Sequence, residues 1–251
     1  MSRFDNKVIF LTGASSGIGA ATAKRLAGEG AAVFGTGRSE QGLAQTEKAI
    51  VDAGGICQPF ASDITGPQAC RDAIAACVEH FERLDVLVNC AGCHVFRALH
   101  EISDELWFED LATNLGGAFF LSQAAMPHLL ASGGNIVSIG SLASVQGQPY
   151  SATYCSAKHG LIGLTRALAL EYMNRGIRIN AICPGGTDTP QIQKVGMPDG
   201  ANIDLIMRTA GLRGFSQAED IASVIAFMAS DDAKGVHGAV YMVDQGNTDG
   251  Y

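Results

Sequence analysis

Two hydrophobic rhythms alternate along the chain. Short, nearly unbroken apolar runs occupy residues 7–12, 31–36, 56–60, 84–89, 134–140, 177–182 and 238–243. Runs of this length and continuity predict strands buried on both faces. Between them, residues 20–29, 40–53, 67–82, 103–130, 153–174 and 218–230 place apolar side chains three and four apart, which predicts helices with one buried face. Pro67 suits a first helical turn with Thr65 as its cap, and the pair Gly116-Gly117 predicts a soft break within 103–130. Residues 184–215 lose periodicity and collect Gly, Pro and Met, which predicts a mobile segment. Alternating strand and helix without a composition break predicts an α/β chain folded as one domain over residues 1–251, a doubly wound parallel sheet of about seven strands in three layers. Ligands of such sheets bind at the carboxyl ends of the strands, so the turns after Thr12, Thr36, Phe60, Asn89, Gly140 and Ile182 are expected to line one crevice.

Composition narrows the classes. The 251 residues are 47% hydrophobic and 17% charged, ample for a buried core. A net charge of −8 without a Lys/Arg cluster argues against nucleic acid or an anionic membrane as partner. No apolar run is long enough for a membrane span, and the first residues lack a signal-peptide pattern. Seven scattered cysteines, an odd number, suggest free thiols in a reducing, cytoplasmic setting. Cys90-Ala-Gly-Cys93 has redox-motif spacing but follows a strand in a glycine turn, and no second pair or spaced His completes a metal site, so structural thiols and no metal are expected.

Three stretches carry candidate chemistry. Gly13, Gly17 and Gly19 sit between the first strand and the first helix, with Ser15, Ser16 and Ile18 among them. Small residues there let backbone N–H groups at a helix N-terminus approach a pyrophosphate. After the second strand, where a carboxylate would serve the ribose of NAD(H), the chain reads Gly37-Arg38-Ser39. The Arg38 fork suits a 2′-phosphate, which favours NADP(H) and leaves NAD(H) open. Asp63, beside Ile64 after the third strand, could accept from an adenine amine or simply form a turn. The third stretch pairs Tyr154 with Lys158, one helical turn apart, below Ser141 at the end of the fifth strand. An ammonium beside a phenol predicts a lowered tyrosine pKa and a usable acid/base group.

These residues together make the chain similar to the short-chain dehydrogenase/reductase family. The resemblance covers essentially the whole length and rests on residues 12–19, on Asn89-Cys90-Ala91-Gly92, on Asn114, on Ser141 with Tyr154-x-x-x-Lys158, and on Pro184-Gly185-Gly186-Thr187-Asp188-Thr189. It implies a Rossmann-like fold and an NAD(P)-dependent oxidoreductase. In it Tyr154 acts as acid/base, and Lys158 lowers its pKa and binds the nicotinamide ribose. Ser141 holds the substrate oxygen, and Asn114 positions a water that links Lys158 to solvent. Asn89 to Gly92 border the cofactor, and Thr187 and Thr189 face the carboxamide. The resemblance also implies a homotetramer formed through the long helices. Cys90 and Gln245 depart from residues more usual at their positions.

The expected substrate is a small hydrophobic ketone or secondary alcohol. Candidate wall residues are His94, Val95, Phe96, Leu142, Gln148 and Tyr150, with a lid over residues 190–216 carrying Met197, Ile203, Leu205, Ile206 and Met207. Lys194, Arg208 and Arg213 are too few to mark the basic rim that an acyl-carrier substrate favours. A 3-oxoacyl-carrier reductase and an NAD(H)-dependent alcohol or hydroxysteroid dehydrogenase are the alternatives within the class. Outside it stand a non-catalytic nucleotide sensor, which has no need of Tyr154 and Lys158, and a methyltransferase, which wants an acidic residue after the second strand.

Overall fold

The computed structural model describes residues 2–194, 196–207 and 210–247, with the side chain of Lys194 left out. Its frame is seven parallel strands: β1 (Val8–Thr12), β2 (Ala32–Gly37), β3 (Ile56–Ala61), β4 (Val86–Asn89), β5 (Asn135–Ile139), β6 (Arg178–Pro184) and β9 (Val240–Val243). They lie in the order β3-β2-β1-β4-β5-β6-β9. The order reverses between β1 and β4, which pair at Ile9–Val86, Phe10–Leu87 and Leu11–Val88. That reversal opens a crevice at the carboxyl edge, where ligands of doubly wound sheets bind. The inner strands β1, β4 and β5 are buried at every position, as their unbroken apolar runs require. Pro59 falls in β3, an edge strand, where a missing N–H costs no ladder bond.

Helices cover both faces. One core layer joins Ile9, Leu11 and Val88 to α1 (Gly17–Gly28) and α8 (Ala218–Ala229) through Ala23, Leu26, Ile221 and Ile225. The other joins Phe10, Leu87 and Ile136 to α3 (Pro67–Phe81) and α5 (Gly117–Ser132) through Ile74, Leu121 and Leu129. Helices α2 (Glu40–Asp52), α4 (Asp104–Leu111) and α6 (Ala152–Glu171) complete the layers. Two short strands, β7 (Thr187–Asp188) and β8 (Ser216–Gln217), pair in parallel and bracket the α7 turn (Ile203–Met207). None of the described helices is long and apolar enough to cross a membrane.

Two local expectations need correction. The first helix starts at Gly17 rather than Ala20, so Gly17 and Gly19 form its first turn and only Gly13 lies in the loop before it. A Cβ at position 19 would lie 2.0 Å from the Gly13 carbonyl oxygen, so only glycine fits there. Thr65 does not cap α3; Gly66 does, and the Thr65 N–H donates to Asp63 Oδ1 at 3.0 Å. The soft break at Gly116-Gly117 is a single π turn (Ala112–Gly116) that joins α4 to α5.

Candidate active site

One cavity of about 750 Å³ runs along the carboxyl edge from Arg38 past Tyr154 to Phe215. Its first half is built on the glycine turn, the N-terminus of α1 and the ends of the strands. Gly13 and Gly17 adopt φ of +75° and +52°, a region open to glycine at little cost. Thr12 Oγ1 accepts from the Cys90 and Ala91 N–H groups at 2.9 and 2.8 Å, so the turn after β4 is pinned to the end of β1. Ser15, Ser16, Ile18, Gly19, Arg38, Ser39, Asp63, Ile64, Ala91, Gly92, Pro184, Gly185, Thr187 and Thr189 all line this half. Asn89 stands behind it and donates to Ser122 Oγ at 3.3 Å. Ser39 caps α2 by accepting from Gly42 N–H.

A dinucleotide fits this cradle. The N-terminus of α1 faces the cavity, Gly13, Gly17 and Gly19 line it without side chains, and no carboxylate precedes Arg38 at position 37. A Cβ at Gly92 would lie 2.9 Å from Asn114 Oδ1 and 3.3 Å from Lys158 Nζ.

At the centre, α6 presents Tyr154 and Lys158 from successive turns. Lys158 is 3% exposed, and its Nζ donates to the Ile139 carbonyl at 2.8 Å and lies 5.7 Å from the Tyr154 ring centroid. Burial pushes the phenol up to about 12, opposed by a hydrogen bond from Ser141. Burial also pulls the Lys158 ammonium down to about 8. The phenol is thus raised rather than lowered, against the expectation from the pair, because desolvation by burial is the largest influence on it. Ser141 Oγ also accepts from Ala143 N–H at 3.2 Å, which fixes the serine at the start of the short turn Leu142–Ser144. Asn114 sits in the π turn, 2% exposed. Its amide donates to the Cys93 and Asp110 carbonyls and its oxygen accepts from Cys93 N–H. Asn114 therefore reaches the cavity through the Gly92–Cys93 backbone rather than by a direct bond to Lys158.

The second half is side chain: Cys93, His94, Phe96, Leu142, Gln148, Gln191, Met197, Ile206, Met207 and Phe215. The His94 ring stacks on Tyr154 at 4.3 Å and 24° and meets the Phe96 ring edge-on at 4.5 Å. His94 Nε2 is hydrogen-bonded to Ser151 Oγ at 2.8 Å, and the same hydroxyl lies 3.1 Å from the Pro149 carbonyl. Burial lowers the His94 pKa to about 4, which leaves the ring neutral at neutral pH. Gln191 bridges the Gly92 carbonyl and the His94 N–H, and Tyr150 accepts from Asn202 N–H at 2.9 Å. Val95 and Tyr150, expected at the wall, and Ile203 and Leu205, expected on the lid, do not line the cavity. Arg208 lies outside the described residues.

Cys90 and Cys93 are free thiols, and burial raises both pKa values, Cys90 to about 12. A thiol held so far from ionisation is a poor nucleophile. The sequence reading missed Arg97, Asp110 and Thr153, which form one polar cluster behind Tyr154. No local signal marked it, because Asp110 is one of four acidic residues in α4, Asp104–Leu111.

Residues 13–248 match the family model described as enoyl-(acyl carrier protein) reductase. The chain is 34% identical to a 3beta-hydroxysteroid dehydrogenase of Mediterraneibacter gnavus, over 99% of this chain and 97% of that one. A short-chain dehydrogenase from Mycobacterium paratuberculosis bound to NAD superposes with a TM-score of 0.89 at 29% identity, covering 98% and 99% of the two chains. Another, from Burkholderia cenocepacia in complex with NADP, gives 0.88 at 34% identity, with 98% and 99% covered. The seven-stranded parallel sheet, the glycine-built cradle and these likenesses lead to one conclusion: the chain belongs to the short-chain dehydrogenase/reductase family, enzymes that interconvert CH–OH and C=O groups.

Proposed function

We propose that the protein transfers hydride between NADP(H) and the carbonyl carbon of a hydrophobic ketone, or the reverse from a secondary alcohol. The observation that carries this reading is the continuity of one cavity, with Arg38 at one end, Tyr154, Ser141 and Lys158 at the centre, and an apolar wall at the other end. When bound, the nicotinamide supplies or accepts the hydride. The chain's own residues do the rest. Ser141 donates a hydrogen bond to the substrate oxygen and orients it against Tyr154. Tyr154 gives its proton to that oxygen as negative charge develops there. A phenol near 12 is a reluctant donor, and the Ser141 hydrogen bond and a charged Lys158 beside it would ease the transfer by stabilising the phenolate. Asn114 holds the Cys93 backbone against this centre.

Arg38 and Ser39 would hold the 2′-phosphate, the guanidinium supplying the charge-assisted donors. Thr187 and Thr189 would hold the carboxamide end. Phe96, Leu142, Met197, Ile206 and Met207 select an apolar body, while Gln148 and His94 border the polar end. The exposed Trp107, Phe108 and Phe119 on α4 and α5 support association into a homo-oligomer through those helices.

The test is a panel of ketones and alcohols followed at the NADPH absorbance, with Tyr154→Phe in parallel. The expected outcome is turnover of an apolar ketone by the native chain and a loss of at least about 10³-fold in the variant, with NADPH affinity retained. Near-normal turnover by Tyr154→Phe rejects the assignment.

A further inference from the structure

Behind Tyr154, away from the cavity, one carboxylate is buried among groups that hold the site together. Asp110 Oδ2 accepts from Arg97 Nη1 at 2.8 Å and from the Thr153 hydroxyl. Asp110 is 9% exposed and Thr153 2%, so water screens these bonds little. Thr153 directly precedes Tyr154 in the first turn of α6. The Asp110 carbonyl accepts from the Asn114 side chain at 3.1 Å. Arg97 in turn donates its backbone N–H to the Tyr150 carbonyl at 2.8 Å, and His94, three residues before it, stacks on Tyr154.

Three separately folded pieces therefore converge on one side chain. They are the loop after β4, which carries His94, the α4–π turn segment, which carries Asn114, and the start of α6, which carries Tyr154. We infer that Asp110, through Arg97 and Thr153, is a positioning residue for Tyr154, setting the phenol's orientation against the His94 ring and the substrate oxygen. This rests on the acid/base reading of Tyr154. A buried carboxylate with a guanidinium and a hydroxyl as partners adds little net stability. It does fix direction, because each partner is reached through a bond of set geometry. A small misplacement of a reacting group is costly to rate while leaving cofactor affinity alone.

The experiment compares Thr153→Val, the double variant Arg97→Met/Asp110→Leu and Tyr154→Phe in the full chain. It uses the best ketone of the panel, NADPH fluorescence titration and thermal unfolding. The valine is isosteric and removes only the hydroxyl bond, and the double variant replaces the buried ion pair by apolar bulk so that the fold survives. Thr153→Val is expected to lower kcat about 10-fold and the double variant about 100-fold, with KM for the ketone and NADPH affinity within about 2-fold of native. The kcat–pH profile of both is expected to move, a change that simple loosening does not produce. Native kcat and pH profile in both variants, or NADPH affinity falling in step with kcat, overturns the inference. If Tyr154→Phe keeps its activity, the acid/base reading itself fails. If Tyr154→Phe is inactive while Thr153→Val and the double variant are both native, only the role of Asp110 fails.

Discussion

The two halves of the cavity are built from different materials. The half reaching Arg38 is built on strand ends, a helix N-terminus and glycines whose missing Cβ atoms leave room measured in tenths of an ångström. The half reaching Phe215 is side chain: Phe96 and Leu142 from the body, and Met197, Ile206, Met207 and Phe215 from a segment whose bonds to the body include Gln191 to His94 and Asn202 to Tyr150. Backbone walls allow almost no substitution, because the atoms they displace belong to the fold. Side-chain walls yield by repacking. The contrast teaches why one half suits a fixed ligand and the other a chosen one.

The sharpest way to break this comparison is Gly19→Ala. The new methyl would meet the Gly13 carbonyl at 2.0 Å, so the turn must open. NADPH affinity is expected to fall at least about 100-fold, measured by fluorescence titration, since anion binding depends on N–H groups aimed from that turn. Native affinity in this variant would mean that the cradle is softer than its geometry implies. Next comes Arg38→Ala, expected to weaken NADPH by about 10- to 100-fold and NADH by less than about 2-fold, the range of one charge-assisted bidentate contact. Equal losses for both cofactors would remove the case for 2′-phosphate recognition.

A third measurement concerns the boundary between the halves. His94 is held neutral with a pKa near 4, below its ordinary value of 6.5. Between those values the unfolded chain binds the proton more readily than the folded one. Stability present above pH 6.5 is therefore lost as pH falls towards 4, by on the order of 2–3 kcal/mol for this group. In His94→Phe, which keeps a ring against Tyr154, thermal midpoints are expected to decline less over that interval. An identical decline would assign the acid sensitivity elsewhere. The smallest effect belongs to Ile206→Ala. A shortened side chain on the apolar wall is expected to raise KM for a hydrophobic ketone a few-fold and leave NADPH affinity unchanged.

The same division explains what could be anticipated from residues alone. The seven parallel strands, the glycine turn and the Tyr154–Lys158 spacing were legible because each follows from local pattern: apolar run length, missing side chains, one helical turn. The direction of the tyrosine pKa was not, since it depends on how much water the folded chain removes from both groups. Nor was the Asp110 cluster, whose members lie 13 and 43 residues from that carboxylate along the chain. Val95 and Tyr150 were misplaced for a related reason. Loop residues alternate in direction by turn geometry, and Tyr150, at φ +59°, turns its hydroxyl towards Asn202 rather than the cavity.

The π turn between α4 and α5 has a consequence for how the two helices are read as one rod. A π turn holds one residue more than a helical turn needs, which shifts the phase of everything before it by about 100° relative to everything after. The stripe of α5 that meets α3 and the stripe of α4 that meets α6 are therefore set independently. A straight helix would have to satisfy both neighbours with a single repeat. Here one extra residue lets the same rod be apolar core on one side of the sheet and a scaffold for Asp110 and Asn114 at its edge.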